Sequence, residues 1–181
     1  MMLRVLWTVL VCALFVAATP INSAKAESPT IAVVDVDKIL AESQAAQSLQ
    51  KQIQTKKESF QKEFSTREKE LKTTEDALLA EREKLSAEEF ATKRKAYEGK
   101  ILETRKLFQK RRNSLDEGLN KAMQELRLNI VESAAQVADE KGYDIVLTRE
   151  SVLIAEKSLD ITADVLAKLN AKISNIALPV E

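Results

Sequence analysis

Residues 37–141 carry apolar side chains at a helical spacing, separated by charged and polar ones. In the first half of this region they recur every seven positions, at Phe64, Leu71, Leu78 and Leu85. In the second half they step by seven or four, at Phe90, Tyr97, Ile101, Phe108 and Leu115. These are coiled-coil spacings. Because no proline lies between Pro29 and Pro179, the pattern predicts long helices that pack against each other.

A helix boundary is predicted near residues 84–86. Ser86 and Glu89 match the S-x-x-E capping box, in which each side chain bonds the other residue's backbone N–H group. We therefore expect one arm over residues 37–85 and a second arm over residues 86–141. Two arms of similar length joined by a tight turn predict an antiparallel hairpin, and a single continuous rod is the alternative.

The predicted seam between the arms is incomplete. Polar residues stand where the heptad pattern requires apolar ones, at Arg67, Thr74, Glu81, Arg94, Thr104 and Arg111. Each missing core side chain forgoes ~1.5–3 kcal/mol of burial free energy. After Leu115 the apolar stripe becomes more regular. We therefore expect arms that can bend and splay above a firmer base.

The two ends of the chain, residues 27–36 and 142–181, predict short strands and a short helix. Before the arms we expect a strand at Thr30–Val36 and a helix N-cap at Asp37. After the helix end at Gly142 we expect strands at Tyr143–Thr148 and Ser151–Ala155, joined by a tight turn at Arg149 and Glu150. A helix capped by Asp160 or Thr162 and a frayed end complete the chain. Three short strands and one helix cannot bury a sufficient core alone. The predicted fold class is therefore mainly α with a small β part, a long antiparallel hairpin on a small β-barrel body built from several subunits.

Residues 1–26 have the pattern of a secretory signal peptide. Arg4 precedes the apolar run Val5–Ala18, and Ala24 and Ala26 form an A-x-A cleavage pattern. The run is shorter than the ~20 residues that span a membrane, although a retained anchor is the alternative. We therefore expect cleavage before Glu27 and export to the periplasm.

Cleavage removes the single cysteine and the single tryptophan, and the chain has no histidine. A disulfide framework, imidazole or thiolate catalysis and the usual zinc ligands are therefore not expected. The nucleotide-binding, hydrolase and metalloprotease motifs are also absent from the sequence. We predict a protein that is not an enzyme and that needs no cofactor or metal.

The positive charge is concentrated in one stretch. Residues 90–112 hold nine Lys or Arg and two Asp or Glu, although the whole chain has 28 of each sign. Three interpretations compete: a nucleic-acid groove, a solvated helix face, or a surface for a charged, partly apolar client. Export and the acidic remainder of the chain argue against nucleic acid. The candidate client-binding residues are Lys93, Arg94, Lys95, Lys100, Arg105, Lys106, Lys110, Arg111 and Arg112.

Three segments carry a resemblance to a known family: Ile31–Leu40, Lys110–Arg112 and Lys141–Leu169, the last containing DITADVL at Asp160–Leu166. They resemble the Skp/OmpH family of periplasmic chaperones. The resemblance implies a homotrimer with a shared β-barrel body and three helical tentacles around a cavity. It also implies an ATP-independent holdase for unfolded outer-membrane proteins, with contact to lipopolysaccharide or the membrane surface through Arg111 and Arg112.

A structural role in the envelope, as a coiled-coil spacer or adaptor, is the alternative from another class. An adaptor needs a larger β domain beside its hairpin than the short predicted strands supply. A passive spacer needs no division of charge between positive arms and a negative body. The charge division therefore favours the chaperone.

Overall fold

The computed structural model describes residues 28–180, so the predicted signal peptide lies outside the described residues. Its elements are β1 (Ile31–Val34), α1 (Val36–Glu42), α2 (Gln44–Glu81), α3 (Ala87–Lys141), β2 (Ile145–Thr148) and α4 (Thr162–Lys172), with 3-10 turns at Arg149–Ser151 and Lys157–Leu159. The predicted fold class, mainly α with a small β part and a long helical hairpin, is confirmed.

The hairpin consists of α2, with 38 residues, and α3, with 55 residues. The capping box forms as predicted: the Ser86 hydroxyl accepts from the Glu89 N–H at 3.3 Å, and the Glu89 carboxylate accepts from the Ser86 N–H at 2.9 Å. The Ser86 hydroxyl also donates to the Glu89 carboxylate at 2.6 Å. This bond, and secondarily the one from the Ser86 N–H, lowers the pKa of Glu89 because both favour its charged form. At the other end, Gly142 closes α3 in the left-handed conformation with φ 72°.

The start of the first arm differs from the prediction. Asp35, and not Asp37, is the N-cap of α1, because the strand ends early and the Asp35 carboxylate accepts from the Lys38 N–H at 2.8 Å. The arm is also not one helix, since Ser43 adopts an extended conformation and caps α2. The Asn170 side chain stabilises this break by accepting from the Gln44 N–H at 2.9 Å.

The two strands pair in parallel, with Ile31 opposite Ile145 and Val33 opposite Leu147. The strand predicted at Ser151–Ala155 and the tight turn before it are wrong for the single chain. A 3-10 turn occupies Arg149–Ser151, residues 152–155 form no regular element, and Leu153 is 98% exposed. The segment has no neighbouring strand within the described chain to hold it in a sheet.

The core lies at the base of the hairpin, where α1, the start of α2, α3, α4 and the inner sheet face meet. Its largest fully buried side chains include Ile39, Leu126, Ile130, Ile161 and Leu169. Three ion pairs join α4 to the end of α3, namely Lys141 with Asp164 at 2.6 Å, Lys172 with Glu132 at 2.6 Å, and Lys168 with Glu140. Further out, the only described buried side chain on either arm is Leu78, on α2. This burial pattern supports the predicted firmer base.

The last described residues, 173–180, are not frayed as predicted. Ile176 is 2% exposed and Leu178 is 8% exposed, and both belong to the same core cluster as Leu49 and Ala122. Burial of these apolar side chains offsets the entropy lost in ordering the segment.

Candidate binding surface of the helical arm

The nine candidate basic residues all lie on α3, between its first turns and residue 112. Eight are exposed, and Arg111 is half-buried. At about 100° of rotation per residue they fall on three faces of the helix instead of one. Lys93, Lys100 and Arg111 face α2; Arg94, Arg105 and Arg112 follow one flank; Lys95, Lys106 and Lys110 follow the other.

Two lysines on the inner face border the space between the arms. Lys93 forms an ion pair with Glu81 of α2, close to the turn. Lys100 lines a cleft of about 450 Å³ together with Arg67 and Glu70. A client that enters between the arms would meet Lys100 beside carboxylates as well as other cations.

Arg111 packs into the seam. Its guanidinium lies 5.7 Å from the centroid of the Phe60 ring, and its Nε lies 3.7 Å from a Glu63 carboxylate oxygen. That Nε is buried and forms no hydrogen bond within the described part of the chain. Cation–π attraction and the nearby carboxylate therefore hold Arg111 between the arms, whereas its neighbour Arg112 is exposed.

The two flanks present their cations to solvent. On the first flank, the Arg94 Nε also forms an ion pair at 2.9 Å with Glu98 of the same helix. An exposed pair of this kind contributes only about 0.2–1 kcal/mol, so Arg94 remains available to another anion. The flanks, more than the seam, therefore expose their positive charge to solvent.

The polar positions of the seam leave space between the arms. Thr74 and Thr104 line the cleft of 450 Å³, and a second cleft of 260 Å³ lies nearer the turn beside Tyr97. Between them and the base, the rings of Phe64 and Phe108 meet edge to face, with centroids 4.8 Å apart. The arms thus touch at separate aromatic and aliphatic contacts and not along a continuous core.

Partial burial of the seam aromatics indicates that these rings pack between the two arms. Burial, and secondarily the carboxylate of Glu75, raises the pKa of Tyr97. Phe64 is 37% exposed, so one part of its ring also faces solvent. The rings are therefore packed between the arms and still partly open to solvent.

Exposed apolar residues were not found by sequence reasoning. On the arms they are Leu79 and Leu102, which are 57% and 55% exposed. Each lies directly after a seam residue, and this offset from the heptad row is the signal that could have revealed them. On the body they are Ile31, Leu128, Val131, Ile145, Leu147, Leu153 and Ile154.

Within residues 28–180, no group of acidic, histidine or cysteine side chains is arranged to hold a metal ion. Among the described helices, none is both long and apolar enough to span a membrane. The arm is thus a charged surface with separate apolar contacts.

The family model for OmpH-like outer membrane proteins matches residues 30–169. The chain belongs to this family. Because the family is one of chaperones and not of enzymes, it supports a chaperone role for this chain.

Two individual proteins show how far the likeness extends. Chaperone protein Skp of Yersinia enterocolitica is 26% identical over 165 residues, covering 87% of this chain and 96% of Skp. A crystal structure of an OmpH-like outer membrane chaperone from Caulobacter crescentus has a TM-score of 0.79. The two chains are 19% identical in sequence, and the match covers 85% of this chain and 91% of the Caulobacter crescentus chain, so it shows a common fold. Both likenesses extend over the body and the arms.

Proposed function

We propose that this protein is an ATP-independent periplasmic holdase that binds unfolded outer-membrane barrel proteins in a cavity between helical arms. The observation that carries the proposal is the arm itself, where exposed cations on two flanks accompany isolated exposed apolar residues. Membership of a chaperone family supports the same role. The expected signal peptide would deliver the protein to the periplasm.

The arm suits a client that must be held without being folded. An unfolded barrel protein exposes alternating apolar residues, and many such proteins are acidic. Leu79, Leu102 and the open part of Phe64 offer separate apolar contacts, while the flank cations attract the client's carboxylates. Each contact is weak because it is solvent-exposed, so many contacts together retain the client and no single one orders it.

The body supports a homotrimer. Ile31, Ile145 and Leu147 lie at 38%, 40% and 36% exposure on the outward sheet face, so the two-stranded sheet of a single chain leaves apolar side chains uncovered. Leu153 and Ile154 extend the apolar surface within the segment that forms no strand in the single chain. We propose that this segment pairs with a neighbouring subunit and that the three sheets close into a barrel.

Contact with lipopolysaccharide or the membrane surface is proposed mainly for Arg112, which is exposed on a flank. Arg111 joins such a contact only if it leaves Phe60 and Glu63. A phosphate group then competes with the seam for the same guanidinium, which favours this contact when the arms are apart.

The decisive experiment mixes the purified mature protein with a urea-denatured outer-membrane barrel protein, dilutes the urea and follows light scattering. A holdase suppresses aggregation in proportion to trimer concentration without ATP. A structural spacer, the alternative, leaves the aggregation curve unchanged even at excess protein. Size-exclusion chromatography with light scattering reports the oligomeric state of the same sample.

A further inference from the structure

The last described residues form an extended segment against the root of the hairpin. We call residues 173–180 the strap. Ile176 and Leu178 point into the core, at 2% and 8% exposure, while Ala177 and Pro179 between and after them are exposed. The family match ends at residue 169, so the strap lies outside the part of the chain that the family model covers.

Gln52 holds the strap on α2. Its Nε2 donates to the Ile176 carbonyl oxygen at 2.8 Å, and its Oε1 accepts from the Leu178 N–H at 3.0 Å. One side-chain amide therefore pairs with the strap backbone as a neighbouring strand would. Asn175 adds a second attachment, because its Oδ1 accepts from the Ser48 hydroxyl at 2.6 Å.

Gly118 allows the backbone of the strap to approach α3 closely. A Cβ atom at this position would lie 2.6 Å from the Pro179 carbonyl oxygen and 3.0 Å from Val180 Cγ2. No side chain fits in that space without moving the strap backbone. Glycine in the interior of a helix costs helix stability, so its presence here matches a requirement for close approach.

We propose that the strap is an intrachain clamp that ties α2 to α3 at the root of the arm and sets the point beyond which the arm bends. It contacts Gln52 on one helix and Gly118 on the other, at the outer edge of the buried core. Beyond it, the arm seam is only half-buried apart from Leu78, among the described residues. The inference concerns the hairpin alone and does not depend on what the arms bind.

Hydrogen–deuterium exchange of the full-length mature protein tests the clamp through two pairs of variants. Gln52→Ala removes the two bonds from Gln52 to the strap backbone. Gln54→Ala is its control because the Gln54 amide donates to Glu58, one turn along the same helix, at 2.8 Å. Gly118→Ala places a methyl group against the strap, and Gly99→Ala is its control because a Cβ there meets nothing within 4 Å.

We expect peptides covering residues 46–56 and 112–122 to exchange at least roughly tenfold faster in Gln52→Ala and Gly118→Ala than in their controls. Peptides covering core residues 126–137 should keep their exchange rates. Fast exchange limited to residues 174–180 would show a passive tail and overturn the proposal. Faster exchange throughout the core would show that the strap supports the whole body, which also overturns it. Gln52→Ala introduces no steric conflict, so it decides the matter even if Gly118→Ala does not fold.

Discussion

Filling the cleft between the arms with an apolar side chain should stabilise the hairpin. Thr74 lines the cleft of 450 Å³, and its hydroxyl donates to the Glu70 carbonyl oxygen at 2.8 Å. The adjacent Thr73 is exposed and makes the same bond, to the Lys69 carbonyl oxygen at 2.9 Å. Thr73→Leu is therefore a matched control for Thr74→Leu, because helix propensity and the lost hydroxyl bond change equally in the two variants.

The difference between the two variants isolates the burial of one leucine side chain. Full burial of leucine contributes about 1.5–3 kcal/mol relative to exposure. Since the cleft is open on one side and Thr74 is half-buried, about half of that gain is expected, roughly 1 kcal/mol per subunit. This corresponds to a roughly fivefold change in the unfolding equilibrium constant.

Urea unfolding followed by circular dichroism, at one fixed protein concentration, measures the difference. Thr74→Leu should unfold at a higher urea concentration than Thr73→Leu. Equal midpoints would refute the inference that the polar seam positions leave usable space between the arms. If client holding requires the arms to separate, Thr74→Leu should also suppress aggregation of a denatured barrel protein less well than Thr73→Leu.

Glutamate substitutions on one flank of α3 should weaken client holding more than those on the other, because only one flank of an arm can line a cavity shared by three arms. Equal losses in the light-scattering assay would mean that net charge alone attracts the client. The two sets, which change net charge equally, are Arg94, Arg105 and Arg112, and Lys95, Lys106 and Lys110. Leu147→Asp should place a charge on the outward sheet face and shift the trimer toward monomer, as measured by size exclusion with light scattering. Leu79→Asp, on the arm, should leave the oligomeric state unchanged. A trimeric Leu147→Asp would contradict the proposed interface. Stability should fall in acid, because the Thr30 backbone N–H holds the pKa of Asp144 below its ordinary value. The contribution of Asp144 to stability is complete above the ordinary Asp pKa and is lost as the pH falls through the lowered pKa of Asp144. Asp144→Asn should therefore flatten the pH dependence of the urea midpoint, whereas Asp139→Asn, at an exposed position, should retain the wild-type slope.

Several features of the arm could be predicted because their signals lie within a few residues of each other. Ser86 and Glu89 form a complete capping box in four positions, and Gly142 supplies the left-handed residue that ends α3. The heptad spacing identifies Phe64 and Phe108 as seam residues, and their rings are in contact. Polar interruptions such as Thr74 and Thr104 likewise correspond to the space between the arms.

The candidate basic residues were only partly predictable. All nine residues lie between positions 90 and 112, which identifies the arm that carries the charge. Their spacing along one helix does not show where the second helix lies. Arg111 and Arg112 are adjacent in sequence and were assigned the same role. The structure places Arg111 against Phe60 and leaves Arg112 exposed, because only one of two neighbouring helical positions can face the seam.

By itself the sequence determined the elements: the helical period of the arms, the caps at Ser86 and Gly142, and the first strand. Tertiary structure alone decided the break at Ser43, the parallel pairing of β1 with β2, and the course of the strap. Gln44 bonds Asn170, and Gln52 bonds Leu178, each across 126 positions of the chain. Caps and periods act within a turn or two of helix, whereas these features depend on contacts that exist only after distant segments have met in the core.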